Sequence, residues 1–231
     1  MSSPTPHTPK VLFVDNHILI VNKPAGMPSQ GDPTGDLSVI DWGKAWVKAT
    51  YNKPGEVYLG LLHRLDRPVA GVIAMARTSK SAARLSKAFQ TREVQKTYLA
   101  VVHKRPAEEE GRLEHWLRKL PDKNIMRAYK NPGSGAQEAI LTYRMLSTRK
   151  DGTSLLEVKP LTGRQHQIRV QLAAMGCTIV GDVKYGRSEF LPGGAIALLA
   201  HTLILPHPVG GKPITFTAPR PPQEIWQGWG L

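Results

Sequence analysis

Cysteine is all but missing from this chain. Cys177 is the only one in 231 residues, which excludes an intramolecular disulfide and any multi-cysteine zinc site. A solitary thiol fits a reducing compartment and predicts a cytoplasmic protein. Long apolar runs are missing as well. None approaches the roughly 18 residues of a membrane helix, so no membrane association is expected. The first ten residues lack the apolar core of a secretory signal, and Pro4, Pro6 and Pro9 predict a flexible tail over 1–10. Neither GxxxxGK[ST] nor GxGxxG occurs, so a bound nucleotide cofactor has no support. The eight histidines show no metal-ligand spacing. No metal site is expected.

Acidic residues are scarce beside basic ones, 18 against 31, for a net charge of +13. That imbalance favours a polyanionic partner, nucleic acid above all. It is unevenly spread. Residues 61–130 carry 16 basic and 7 acidic side chains, whereas residues 1–60 carry five of each. The middle of the chain therefore holds most of the positive field. With 41% hydrophobic residues the composition is globular rather than disordered. A chain of this length buries about 70% of its unfolded surface and needs no covalent staple. No internal repeat or clean linker divides it, which predicts one domain over 11–231, taken as a monomer.

Short apolar runs alternate with turn signals. Val11–Asp15, Ile18–Asn22, Val69–Ala76, Thr97–Val102, Ile140–Leu146, Ser154–Val158, Ile196–Leu205 and Ile214–Thr217 read as strands, with Asp151-Gly152 at a hairpin turn. Residues 37–50, 80–91 and 165–175 have helical spacing. Thr78 or Ser79 can cap the second helix, and Gly176 can terminate the third. Pro106–Gly111 and Pro121–Gln137 read as loops. Strands dominate and rarely alternate with helices. The expected class is α+β with a mixed, mostly antiparallel sheet and flanking helices and loops.

Three clusters could carry chemistry. In His63-Arg64-Leu65-Asp66-Arg67-Pro68, a carboxylate between two arginines stays ionised and can act as nucleophile or base. The same residues would also make a plain surface ion cluster. In Thr162-Gly163-Arg164-Gln165-His166-Gln167-Ile168-Arg169, a glycine turn enters a helix whose first turn carries His166 and Arg169. Such a start suits a phosphate or carboxylate, or is simply solvated. Lys96-Thr97-Tyr98 heads a strand, where the tyrosine could stack on a base or pack in the core. On the second helix Lys80, Arg84 and Lys87 share one face, available to phosphates or to water.

Taken in order, Asn22–Met27, His63–Asp66 through Gly71, Lys96–Ala100, Thr162–Val170, Gly181–Gly186 and Leu199-Ala200-His201 resemble the RluA-type RNA pseudouridine synthases. The resemblance implies an isomerase of uridine in ribosomal or transfer RNA, a pseudouridine synthase fold with a central catalytic cleft, and no cofactor. It makes Asp66 the family's catalytic aspartate, which takes part in breaking the glycosidic bond. Tyr98 becomes the tyrosine packed on the target base, Arg169 the arginine paired with the aspartate, and Arg64 the arginine near the flipped nucleotide. Phosphate contacts would come from the basic side chains, with Arg64, Arg67, Lys80, Arg84, Lys87, Arg164 and His166 as the RNA-binding candidates. Val69-Ala70 stands where many members have Thr-Ser. No S4-type RNA-binding domain is expected. A non-catalytic RNA-binding or chaperone protein on the same scaffold, or an RNA glycosidase that releases uracil, are the rival readings.

Overall fold

The structure is a computed structural model describing residues 8–121, 124–186 and 189–229. Most of the expected N-terminal tail, residues 1–7, lies outside the described residues. The elements in chain order are β1 (Lys10–Val14), β2 (Ile18–Lys23), α1 (Val39–Thr50), β3 (Gly60–Leu61), β4 (Ala70–Ala76), α2 (Ser79–Gln90), β5 (Gln95–Val102), β6 (Glu110–Lys119), β7 (Met126–Tyr129), β8 (Gln137–Thr148), β9 (Ser154–Pro160), α3 (Gln167–Ala174), β10 (Leu198–Pro206) and β11 (Pro213–Thr217). The chain divides into two compact units: residues 1–96 with 200–219, and residues 97–199 with 220–231.

In the first unit β2 pairs antiparallel with β1 and β4, β3 pairs with β4, and β11 with β10. Strand β2 opens with Ile18-Leu19-Ile20-Val21, all fully buried, and Val72–Ala76 of β4 are equally dry. Such continuous apolar runs belong to strands covered on both faces. The helices start where their caps are. Ser38 Oγ accepts the Asp41 amide, and Thr78 Oγ1 accepts the Ser81 amide. Leu85 and Ala88 form the buried stripe of α2.

Gly71, second residue of β4, takes φ +127, and a Cβ there would lie 2.2 Å from the Ala200 carbonyl oxygen. Backbone cannot yield as a side chain can. Gly71→Ala should therefore cost about 4 kcal/mol or prevent folding. A denaturant midpoint near that of the wild type would refute the close approach.

In the second unit β8 is central, pairing antiparallel with β6 over eight residue pairs and with β9, while β6 pairs with β7 and β9 with β5. The β8–β9 hairpin turns at Asp151-Gly152, where Gly152 takes φ +86. Leu117, Ala139 and Val170 form a buried cluster, and Met126, Ala128 and Tyr185 pack on it.

Three readings of the sequence need correction. Pro121–Gln137 is not all loop, because β7 lies within it. Met126 and Ala128 point at the cluster while Arg127 and Tyr129 face away, too short an alternation to stand out from its Asn-Pro-Gly surroundings. Strand β6 went unrecognised because Arg112, Glu114, Arg118 and Lys119 mask the alternation of Leu113 and Leu117. Helix α3 also begins at Gln167 rather than Gln165, since His166 sits in the left-handed region at φ +53 and does not continue a helix. Its other end is as expected. Gly176 N–H donates to Ala173 O and Cys177 N–H to Leu172 O, a complete Schellman cap.

Candidate active site

Asp66 lies in the first unit, on the loop between β3 and β4. Its carbonyl accepts the Val69 amide at 3.0 Å, closing a turn over Arg67-Pro68. The loop is clamped from behind by the segment after β2. Ser29 Oγ donates to Leu65 O at 2.7 Å and accepts the Leu65 amide at 3.0 Å. Gly26 N–H donates to Arg67 O. Lys23, fully buried, directs its Nζ at three carbonyls, Pro24 (2.9 Å), Met27 (2.7 Å) and Arg67 (3.2 Å). Burial pulls the Lys23 ammonium down to about 7, against the pull of the Asp66 charge, which favours the cation. The Asn22–Met27 motif thus serves as the rear support of the Asp66 loop.

The other residues of the His63–Pro68 cluster divide by role. Arg64 is exposed. Arg67 donates to Asp32 (2.8 Å), Asp36 (2.5 Å) and Thr34 Oγ1 (2.6 Å), fastening the 31–36 loop. The Thr34 hydroxyl and the Arg67 guanidinium hold the Asp32 carboxyl down to about 2. His63 accepts the Ala74 amide on Nε2 and stacks on Phe89 at 5.2 Å. Burial, and next the Lys96 charge, lowers His63 to about 3, so it is a neutral structural ring.

Tyr98 and Arg169 belong to the second unit. Tyr98 is half-buried on β5, opposite Val158 of β9. Arg169 stands in the first turn of α3, and the loop before that helix is stitched to β8. Thr162 Oγ1 accepts the Ile140 amide and donates to Gln167 Oε1, which also accepts the Arg164 amide. Gln167 Nε2 donates to Ile140 O. These bonds fix where α3 begins and hence where Arg169 points. Arg169 donates through Nε to Asp182 Oδ2 (2.7 Å) and through Nη2 to Asp182 Oδ1 (2.8 Å). Both side chains are buried, 4% and 1% exposed. The guanidinium also lies over the Tyr185 ring, 5.2 Å from its centroid. Tyr185 Oη accepts the Met126 amide and sits 2.7 Å from His166 Nδ1.

The RNA-binding candidates are not equivalent. Lys80 and Lys87 are exposed on α2, whereas Arg84, on the same face, donates to Pro208 O at 2.7 Å. Arg164 is exposed with Nε tied to Glu138 O. His166 is buried, packed edge-on against Tyr185. Asp182, Tyr185 and Lys23 carried no role in the sequence reading. Their segments stood out as motifs, but only packing reveals what each holds. Among the described residues no three His, Cys, Asp or Glu side chains gather as metal ligands, and no helix is long and apolar enough to cross a membrane.

Comparison with known proteins covers nearly the whole chain. Residues 17–174 match the family model described as RNA pseudouridylate synthase. The chain is 32% identical over 215 residues to the ribosomal large subunit pseudouridine synthase C of Rickettsia bellii, covering 93% of this chain and 69% of that protein. It is 32% identical over 240 residues to the tRNA pseudouridine synthase C of Pectobacterium carotovorum, covering 95% and 60%. The solved structure of human RNA pseudouridylate synthase domain containing 4 superimposes with a TM-score of 0.77 at 26% identity, covering 92% of this chain and 89% of that one. The ordered motifs, the mostly antiparallel α+β fold and these similarities agree: the chain belongs to the RluA-type RNA pseudouridine synthases and is an RNA-modifying isomerase.

Proposed function

We propose that Asp66 is the catalytic carboxylate, Tyr98 the stacking residue and Arg169 the partner that orients the aspartate, acting on a uridine of structured ribosomal RNA. The carrying observation is the Asp66 loop, a carboxylate on a tight turn backed by the buried Lys23 and clamped through Ser29. Ser29, Gly26, Lys23 and the Val69 amide hold the loop through its backbone amides and carbonyls. The reaction is a balanced isomerisation. The N1–C1′ bond breaks, a C5–C1′ bond forms, C5 gives up a proton and N1 ends with one, with no redox change. It needs a group able to engage the sugar carbon and a base to take the C5 proton. A uridine within structured RNA must first leave its stack. Phosphate contacts from Arg64, Lys80, Lys87 and Arg164 would repay part of that cost. Arg67, Arg84 and His166 are read as holding the loops and the helix start that present those groups.

The test is to map pseudouridines in RNA from cells with and without the gene. Loss of a ribosomal position supports the proposal, loss of a transfer-RNA position redirects it, and no loss overturns it. Free uracil from purified enzyme and RNA would instead indicate a glycosidase. Tyr98→Phe keeps the stacking face, worth roughly 1–3 kcal/mol per base, and loses the hydroxyl. Its RNA affinity should stay near wild type while its single-turnover rate falls. Equal rates would leave Tyr98 a packing role only.

A further inference from the structure

We propose that Asp182 is a positioning residue for the isomerisation: it locks the plane and direction of the Arg169 guanidinium, with the Tyr185 ring as the second wall. The inference rests on Arg169 acting on Asp66. Arginine is long and flexible, and a single contact would let its head swing. Here Nε and Nη2 are both engaged by one carboxylate, a two-point fork that fixes the guanidinium plane. The ring of Tyr185 beneath it fixes the remaining tilt. The holders are themselves held. Asp182 Oδ1 accepts the Lys184 amide at 3.1 Å and the Tyr185 amide at 3.3 Å, and the Tyr185 hydroxyl is anchored at the Met126 amide. The fork uses the Nε edge, so the Nη1 side faces away from Asp182 in one defined direction. Asp182 also neutralises the guanidinium, so Arg169 offers directed hydrogens rather than an added unit of charge to RNA.

Stability alone does not call for this pair. Removing two charges from water costs about what their attraction returns, and an apolar replacement is often neutral. Orientation is what the carboxylate adds, and a misplacement of about 1 Å can cost about a hundredfold in rate.

The test measures single-turnover rate and RNA affinity for Asp182→Asn, Arg169→Met and the double variant, with circular dichroism to confirm folding. Asparagine keeps the shape and the bonds from the Lys184 and Tyr185 amides but sets an amide donor against the arginine. Asp182→Asn should lose about a hundredfold in rate with affinity within about threefold, and the double variant should be no slower than Arg169→Met. A severe Arg169→Met beside an Asp182→Asn within twofold of wild type overturns the inference and spares the Arg169 role. A near-normal Arg169→Met removes that role and the inference with it. Should Asp182→Asn not fold, nitrogen NMR of wild-type Arg169 decides. Separate, slowly exchanging Nη signals support a locked guanidinium, and a single averaged signal overturns it.

Discussion

Asp66→Asn should abolish pseudouridine formation while leaving the protein folded and bound to RNA. The substitution removes a charge and almost preserves shape. The loop around it is held by backbone and by other side chains: Ser29 on Leu65, Lys23 and Gly26 on Arg67 O, and the Val69 amide on the Asp66 carbonyl. None of these uses the Asp66 carboxylate, so asparagine should keep the turn. Affinity should hold or rise slightly, since a carboxylate near phosphates repels them. The chemistry should stop. The readout is tritium release from RNA labelled at C5 of uridine, because isomerisation must expel that hydrogen. Substantial release by Asp66→Asn would overturn the assignment of this loop as the catalytic centre.

Arg169→Met should fail twice over, in activity and in stability. Methionine fills much of the arginine stem's volume but leaves Asp182 at 1% exposure facing no cation. Breaking one side of a buried ion pair typically costs about 3–5 kcal/mol, because the orphaned charge keeps its desolvation penalty. The Tyr185 ring also loses its guanidinium cover. Rate should fall by at least about a hundredfold, as orientation of the proposed catalytic aspartate is lost. The two losses separate in the double variant Arg169→Met/Asp182→Asn. Removing both charges should return most of the stability and none of the rate. Full stability in Arg169→Met alone would mean that water or another group compensates Asp182. Recovery of rate in the double variant would deny Arg169 any part in the reaction.

The sequence by itself determined the family, the α+β class and the polyanionic partner, for physical reasons local to short segments. Buried strands such as Ile18–Val21 and Val72–Ala76 announce themselves as unbroken apolar runs. Thr78 and Gly176 act on near neighbours in the chain, so those caps are legible from the string alone. A motif such as His63–Asp66 names its carboxylate without any fold. Tertiary structure decided what depends on partners far along the chain. Strands β6 and β7 are strands because β8, Val170 and Tyr185 accept their inward faces, a fact their charged outward faces conceal. Arg67, an RNA-binding candidate by its motif, is seen only in the fold to tie Asp32 and Asp36, some 31 to 35 residues away. Lys23 carried no role as a member of the Asn22–Met27 motif, yet lies buried under three carbonyls, one of them 44 residues on. Gly71 reads as one small residue within the Val69–Ala76 strand, yet it is there because the backbone of Ala200 leaves no space for a Cβ. Arg169 could be named from its motif, but only the packed chain shows Asp182, 13 residues later, holding it. Charge and hydrophobic pattern are properties of a residue and its near neighbours, whereas direction and desolvation are properties of whatever the fold brings against it.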